Sequence, residues 1–138
     1  MRSTEGGVPK RQQEYPFEKL EIWRLAQGII LSTYGVARRL PRDELFGLVG
    51  QLRRAAVSVA LNIAEGRAAD SDAEFRRFLG ISERSLVEVI ACLRVCVTLG
   101  YVTSAKADAL SADCDVLQAK IRSFRRRLGE GKRSREEA

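Results

Sequence analysis

Cationic side chains are the residues of this chain best suited to do chemistry, and the chemistry they suit is phosphate binding. Lys and Arg number 24 against 18 Asp and Glu, a formal net charge of +6. The excess is unevenly placed. Residues 17–118 carry thirteen charges of each sign. Residues 119–138 carry Lys120, Arg122, Arg125, Arg126, Arg127, Lys132, Arg133 and Arg135 against Glu130, Glu136 and Glu137. Such an end is a candidate polyanion contact. Cations near a helix C-terminus also complement its dipole, so the bland reading is a solubilising end.

Other chemistry is sparse. The chain has no histidine, which removes Ser-His and Cys-His nucleophile pairs and histidine-held metals. Glu65 and Glu88 are carboxylates that in principle do acid-base work, but bundle di-metal sites use repeated Glu-x-x-His, which is missing. Cys92, Cys96 and Cys114 lack the tight Cys-x-x-Cys spacing of structural zinc sites and fall at seam positions, where cysteine is a small core hydrophobe. Their odd count argues against a disulfide framework and points to a reducing, cytoplasmic setting. Gly47 and Gly50 lack the Lys-Ser/Thr of a phosphate-binding loop. The expectation is a protein that is not an enzyme and has no cofactor and no metal.

A second constellation is polar. Gln51, Arg54, Ser58, Asn62 and Glu65 are spaced 3, 4, 4 and 3, one stripe along a helix. Val57, Leu61 and Ala64 lie outside the apolar seam of the same helix, so it is apolar on more than one side. In a four-helix protein this predicts a partner chain, with the stripe at a subunit contact and Arg54 paired to a carboxylate such as Glu65 or Glu88. The alternative is an ordinary solvated face. Phe17, Trp23 and Tyr34 read as core or interface anchors.

Four helices must position these groups. The first is expected from about Phe17 to Leu40, with Ile22, Leu25, Ile29, Tyr34 and Val36 or Ala37 inward, and Pro41 as its stop. The second runs from about Glu44 to Glu65 along Leu45, Leu48, Leu52, Ala56, Val59 and Ile63, with Gly66 as its cap. The third opens on the capping box Ser71-Asp72-Ala73-Glu74. It follows Phe75, Leu79, Ser82, Leu86, Val89, Leu93 and Cys96 to Gly100. The fourth runs from Thr103 or Ser104 to Leu128 along Leu110, Cys114, Leu117, Ile121, Phe124 and Leu128, closed by Gly129. Short connections make neighbours antiparallel. The fold expected is an all-α, up-down-up-down four-helix bundle over residues 17–128, with a disordered lead at 1–16 and a basic, flexible tail at 129–138. No apolar run is long enough to span a membrane, and no secretory signal pattern opens the chain.

Three segments carry a family resemblance: Phe17-Glu18-Lys19-Leu20-Glu21-Ile22-Trp23; the run Gly47 to Gly66, whose Gln51 to Gly66 portion is the most specific; and Glu74 to Ser82 followed by Ser85-Leu86-Val87-Glu88. The chain resembles the bacterial four-helix bundle family that includes proteins encoded in 23S ribosomal RNA intervening sequences. That family is related to the accessory variability determinant proteins of diversity-generating retroelements. The resemblance implies a homopentameric barrel of bundles without known catalytic activity. Its retroelement relatives bind nucleic acid and partner a reverse transcriptase.

Up-down topology puts the fourth helix's C-terminus beside the start of the third. The candidate nucleic-acid-binding residues are therefore Arg67, Arg76, Arg77, Lys120, Arg122, Arg125, Arg126, Arg127, Lys132 and Arg133. Arg38, Arg39 and Arg42 cluster at the opposite end. The leading reading is a non-catalytic, oligomeric accessory protein that binds RNA or DNA, with a retroelement reverse transcriptase as candidate partner. The alternative is an oligomeric protein-interaction scaffold.

Overall fold

The computed structural model describes residues 14–131. Four α-helices make up the described chain, α1 Glu21–Ala37, α2 Gly50–Ala68, α3 Asp72–Thr98 and α4 Ser104–Glu130, with no strand among the described residues. Most of the expected lead and tail, including Lys132 and Arg133, lies outside the described residues.

The first helix differs from expectation at both ends. Pro16–Lys19 form a separate 3-10 turn, and Leu20 between it and α1 is extended (φ −74°, ψ 134°) and fully buried. Phe17 meets Trp23 edge to face at 4.6 Å across that joint. The helix stops at Ala37, where Arg39 N–H donates to the Val36 carbonyl and tightens the last turn ahead of Pro41. The inward face is Ile22, Ala26, Ile29, Thr33 and Val36, spaced 4, 3, 4 and 3, so Leu25 and Tyr34 sit at its margins rather than on it.

α2 departs more. Residues Arg42–Glu44 form a 3-10 turn and Leu45–Val49 a wide turn of π type, with non-helical angles at Gly47. The kink at Gly47 (φ −106°, ψ −108°) breaks the helical register and re-aims the residues before it. Val49 is therefore buried, while Leu45, expected on the seam, is 48% exposed and Phe46 is 94% exposed. From Leu52 onward the expected seam holds: Leu52, Ala56, Val59 and Ile63 are buried. Gly66 is not a cap. The helix continues to Ala68, and a Cβ on Gly66 would lie 2.8 Å from the Phe75 ring, so this glycine permits close approach of α3.

All seven seam residues expected of α3 and all six of α4 are buried. Ser71 Oγ accepts the Glu74 N–H at 3.1 Å, as a capping residue does, while the Glu74 carboxylate turns to Arg77 at 2.7 Å. Gly100 (φ 78°) ends α3. Its N–H donates to the Val97 carbonyl and that of Tyr101 to the Cys96 carbonyl, the paired bonds of a Schellman motif. Thr103 caps α4 through Lys106 N–H. Gly129 lies inside α4, which runs two residues beyond the expected end at Leu128 to Glu130, and Gly131 (φ 68°) closes the helix.

The core runs the length of the molecule, with Phe75 and Phe124 in contact at 5.2 Å between centroids. α2 and α3 pack most closely, α1 and α4 most loosely. α2 meets α3 through Ser58 and Ser85, Val59 and Ser82, and Gly66 and Phe75. α3 meets α4 through Phe75 and Phe124, Glu83 and Arg122, and Arg94 and Asp108.

Candidate nucleic-acid interface

The expected basic end is assembled, and four of its eight described cations are ion-paired. Its organiser is Glu83, on the buried arc of α3 at 7% exposure. The carboxylate accepts Arg122 Nε at 2.7 Å and Arg125 Nη1 at 2.5 Å. A buried carboxylate needs such partners, because an unpaired charge is costly in a low-dielectric site. Arg125 reaches it over Gly80, where a Cβ would stand 3.1 Å from its guanidinium. Arg76 Nε donates to the Arg125 carbonyl at 3.0 Å, so the α3 and α4 arginines do become neighbours. Arg77 pairs with Glu74 at 2.7 Å and lies over the Phe78 ring at 4.5 Å. Lys120 pairs with Glu21 at 3.2 Å on α1. Arg67 is half-buried in the last turn of α2. Arg126 and Arg127 are exposed, with no ion pair among the described residues.

Sequence reasoning missed Glu83. The signal was available: it lies four residues after Leu79 and three before Leu86, inside the apolar arc. A charge there demands a cation from the facing helix.

At the other end the arginines have no such organiser. Arg38, Arg39 and Arg42 are exposed and make no ion pair or side-chain hydrogen bond among the described residues. Arg53 lies 5.1 Å from the Tyr34 ring centroid, and its buried Nε has no acceptor. Of the nearby carboxylates, Glu44 accepts the Tyr101 phenol at 3.0 Å and Asp43 is exposed. That hydrogen bond, then burial, raises the Tyr101 pKa above its ordinary value.

The polar stripe of α2 divides. Ser58 meets the Ser85 hydroxyl at 2.8 Å, and Asn62 Nδ2 donates to the Ser58 carbonyl at 2.9 Å and hydroxyl at 3.1 Å, which ties the Asn62 amide nitrogen to the serine pair within the subunit. Gln51, Arg54 and Glu65 are exposed, and Arg54 pairs with neither Glu65 nor Glu88 in the single chain. Tyr34, Arg53, Arg54, Val57, Leu61 and Glu65 flank a shallow groove of about 550 Å³ along this face.

Cys96 and Cys114 are fully buried in the seam and Cys92 is half-buried beside it, in keeping with a packing role. Burial, then the Asp113 and Asp115 charges, pushes the Cys114 thiol up to about 12. No group of three metal-ligating side chains occurs among the described residues. No helix there is long and apolar enough to cross a membrane.

The family model described as 23S rRNA-intervening sequence protein matches residues 18–123, most of the chain. The chain belongs to the 23S rRNA-intervening sequence protein family. Its resemblance to that family, carried by the segments around Trp23, Asn62 and Phe75, is thereby established, and the four-helix bundle fits it. The chain is also similar to a solved structure of a protein of unknown function from the S23 ribosomal protein family, from Bacteroides thetaiotaomicron VPI-5482. That likeness has a TM-score of 0.70 at 19% identity over 75% of this chain and 97% of the other. At that identity it speaks to the fold alone. No curated protein matches the chain. The family match spans α1 to α3 and most of α4, and so includes both arginine clusters except Arg125, Arg126 and Arg127.

Proposed function

We propose that this protein is a non-catalytic, oligomeric nucleic-acid-binding accessory protein, with a retroelement reverse transcriptase as its candidate protein partner. On this reading it is a cytoplasmic protein whose antiparallel bundles associate as a homopentameric barrel. The observation that carries the reading is the set of exposed arginines without intramolecular carboxylate partners, on a chain of net charge +6. An exposed, unpaired guanidinium is free to displace counterions from phosphates, the dominant source of affinity for nucleic acid. Repeating such a patch around an oligomer multiplies avidity with no new contact. The family's connection with ribosomal RNA intervening sequences agrees with a nucleic-acid role. The exposed Leu61 and Val87, with the α2 groove between its polar residues, support burial by a second copy.

The scaffold reading is favoured by one observation: four of the eight described residues expected to bind nucleic acid spend their charge on Glu74, Glu83 and Glu21. A salt titration separates the two. The nucleic-acid reading expects sub-micromolar binding of RNA or DNA at low salt, falling roughly a hundredfold or more by about 0.2–0.3 M salt. Absence of binding at low salt favours the scaffold.

A further inference from the structure

Resting on the nucleic-acid reading, we infer that the contact is made at the α1–α2 end and that its ligand is an unpaired, single-stranded segment. Phe46 stacks on a base, and Arg38, Arg39, Arg42 and Arg53 hold the phosphates around it.

Phe46 starts the argument. It is the most exposed large apolar side chain in the described chain, at 94%. Full exposure of a phenyl ring forfeits the burial that normally holds phenylalanine in a core. Phe46 lies in the irregular turn Leu45–Val49, one residue before the kink at Gly47. At the same α1–α2 end, Arg38, Leu40, Pro41, Arg42, Leu45 and Arg53 line a shallow cleft of about 280 Å³. Arg38, Arg39 and Arg42 have no carboxylate partner among the described residues, and Arg53 retains an unsatisfied Nε. Glu44 is occupied by the Tyr101 phenol, which leaves Asp43 as the nearby carboxylate without a hydrogen bond.

An unpaired nucleotide complements both features at once. Its base offers a π-face to the phenyl ring, and its phosphates answer the guanidinium groups. A duplex keeps its base faces stacked inside and offers only phosphates, so it can satisfy the arginines but not Phe46. The site should therefore favour single strands and tolerate different base sequences. The opposite end lacks this combination: there Phe75 and Phe124 are buried, Phe78 is half-buried beneath Arg77, and Arg77, Arg122 and Arg125 are ion-paired.

The experiment is fluorescence anisotropy on the full chain with labelled oligouridylate RNA, oligothymidylate DNA and a duplex of equal length. Wild type is expected to bind the single strands more tightly than the duplex. Phe46→Ala should weaken single-strand binding roughly fivefold to a hundredfold, with little change for the duplex, and Phe46→Trp should restore it. Arg38→Gln with Arg42→Gln should lower affinity and flatten the salt dependence by about 0.7 per lost contact on a single strand. The mass of the assembly should be the same in all variants. Phe46→Ala binding like wild type would overturn the inference while leaving the nucleic-acid reading intact. So would a change of assembly mass in that variant, which would make Phe46 a subunit contact. Wild type that binds none of the three probes would remove the underlying reading as well. Preference between RNA and DNA identifies which single strand the site takes.

Discussion

The two ends of the bundle carry similar residue types and use them in opposite ways. At one end, α3 supplies Glu74 and Glu83, and the arginines of α3 and α4 fold back onto them. At the other, the connection between α1 and α2 displays Arg38, Arg39 and Arg42 beside an exposed ring. The end richer in basic residues thus spends part of its charge internally, through Arg77, Lys120, Arg122 and Arg125, and leaves Arg126 and Arg127 exposed without an ion pair among the described residues. Counting cations along a sequence measures neither the carboxylates facing them nor the depth at which those carboxylates sit. Glu83 decides the matter, since a buried carboxylate cannot stay unpaired and recruits Arg122 and Arg125.

The sharpest way to test this contrast is a pair of phenylalanines. Phe124→Ala, in the core beneath the neutralised end, should cost about 3–5 kcal/mol in unfolding free energy, whereas Phe46→Ala should stay within about 0.5 kcal/mol. Denaturant titration reads both, and similar losses would mean that Phe46 packs somewhere. Next in size is Glu83→Ala. Loss of hydrogen bonds to a charged group should cost about 1.5–3 kcal/mol, while freeing Arg122 and Arg125 should tighten nucleic-acid binding. Arg42→Ala should do the reverse, weakening binding at little cost to stability. If Glu83→Ala leaves both stability and binding unchanged, its two ion pairs are incidental.

Glycines extend the comparison at smaller scale. Gly66→Ala places a methyl against Phe75 and should destabilise by about 1–3 kcal/mol. Gly35→Ala, on a face of α1 with nothing within 4 Å of the added carbon, should stabilise by about 0.5–1 kcal/mol. The last effect appears only in alkali. Because burial raises the Cys114 thiol from 9.0 to about 12, its stabilising contribution is full below pH 9 and is lost as pH rises toward 12. Cys114→Ala should flatten that alkaline decline in a series of melts, and an unchanged decline would assign it to other groups.

How much of this was legible in the sequence depends on which interactions are local. The seams of α3 and α4 were legible because an unbroken 3-and-4 spacing has one helical solution. Ser71 and Gly100 were legible because capping uses residues a few positions apart, and the start of α4 was legible to within Thr103 or Ser104. The start of α2 was not. Leu45, Leu48 and Leu52 fit a regular helix, but Val49 fits as well, and a backbone kink at Gly47 leaves no mark on that spacing. The sequence predicts caps at Gly66 and Gly129 that do not form, since cap glycines and close-approach glycines look alike until the facing helix is in place. The fate of the basic end also depended on pairing between distant residues. Arg122 and Glu83 are 39 positions apart, and only the packing of α4 on α3 brings them together.

The most direct test of the contrast is arginine labelling by a 1,2-dicarbonyl reagent, mapped by peptide mass spectrometry with and without a single-stranded oligonucleotide. Arg38, Arg39 and Arg42 are predicted to react quickly in the free protein and to be protected by the oligonucleotide, with Arg125 slow in both states. Protection confined to Arg126 and Arg127, with Arg38, Arg39 and Arg42 still reactive, would contradict the account.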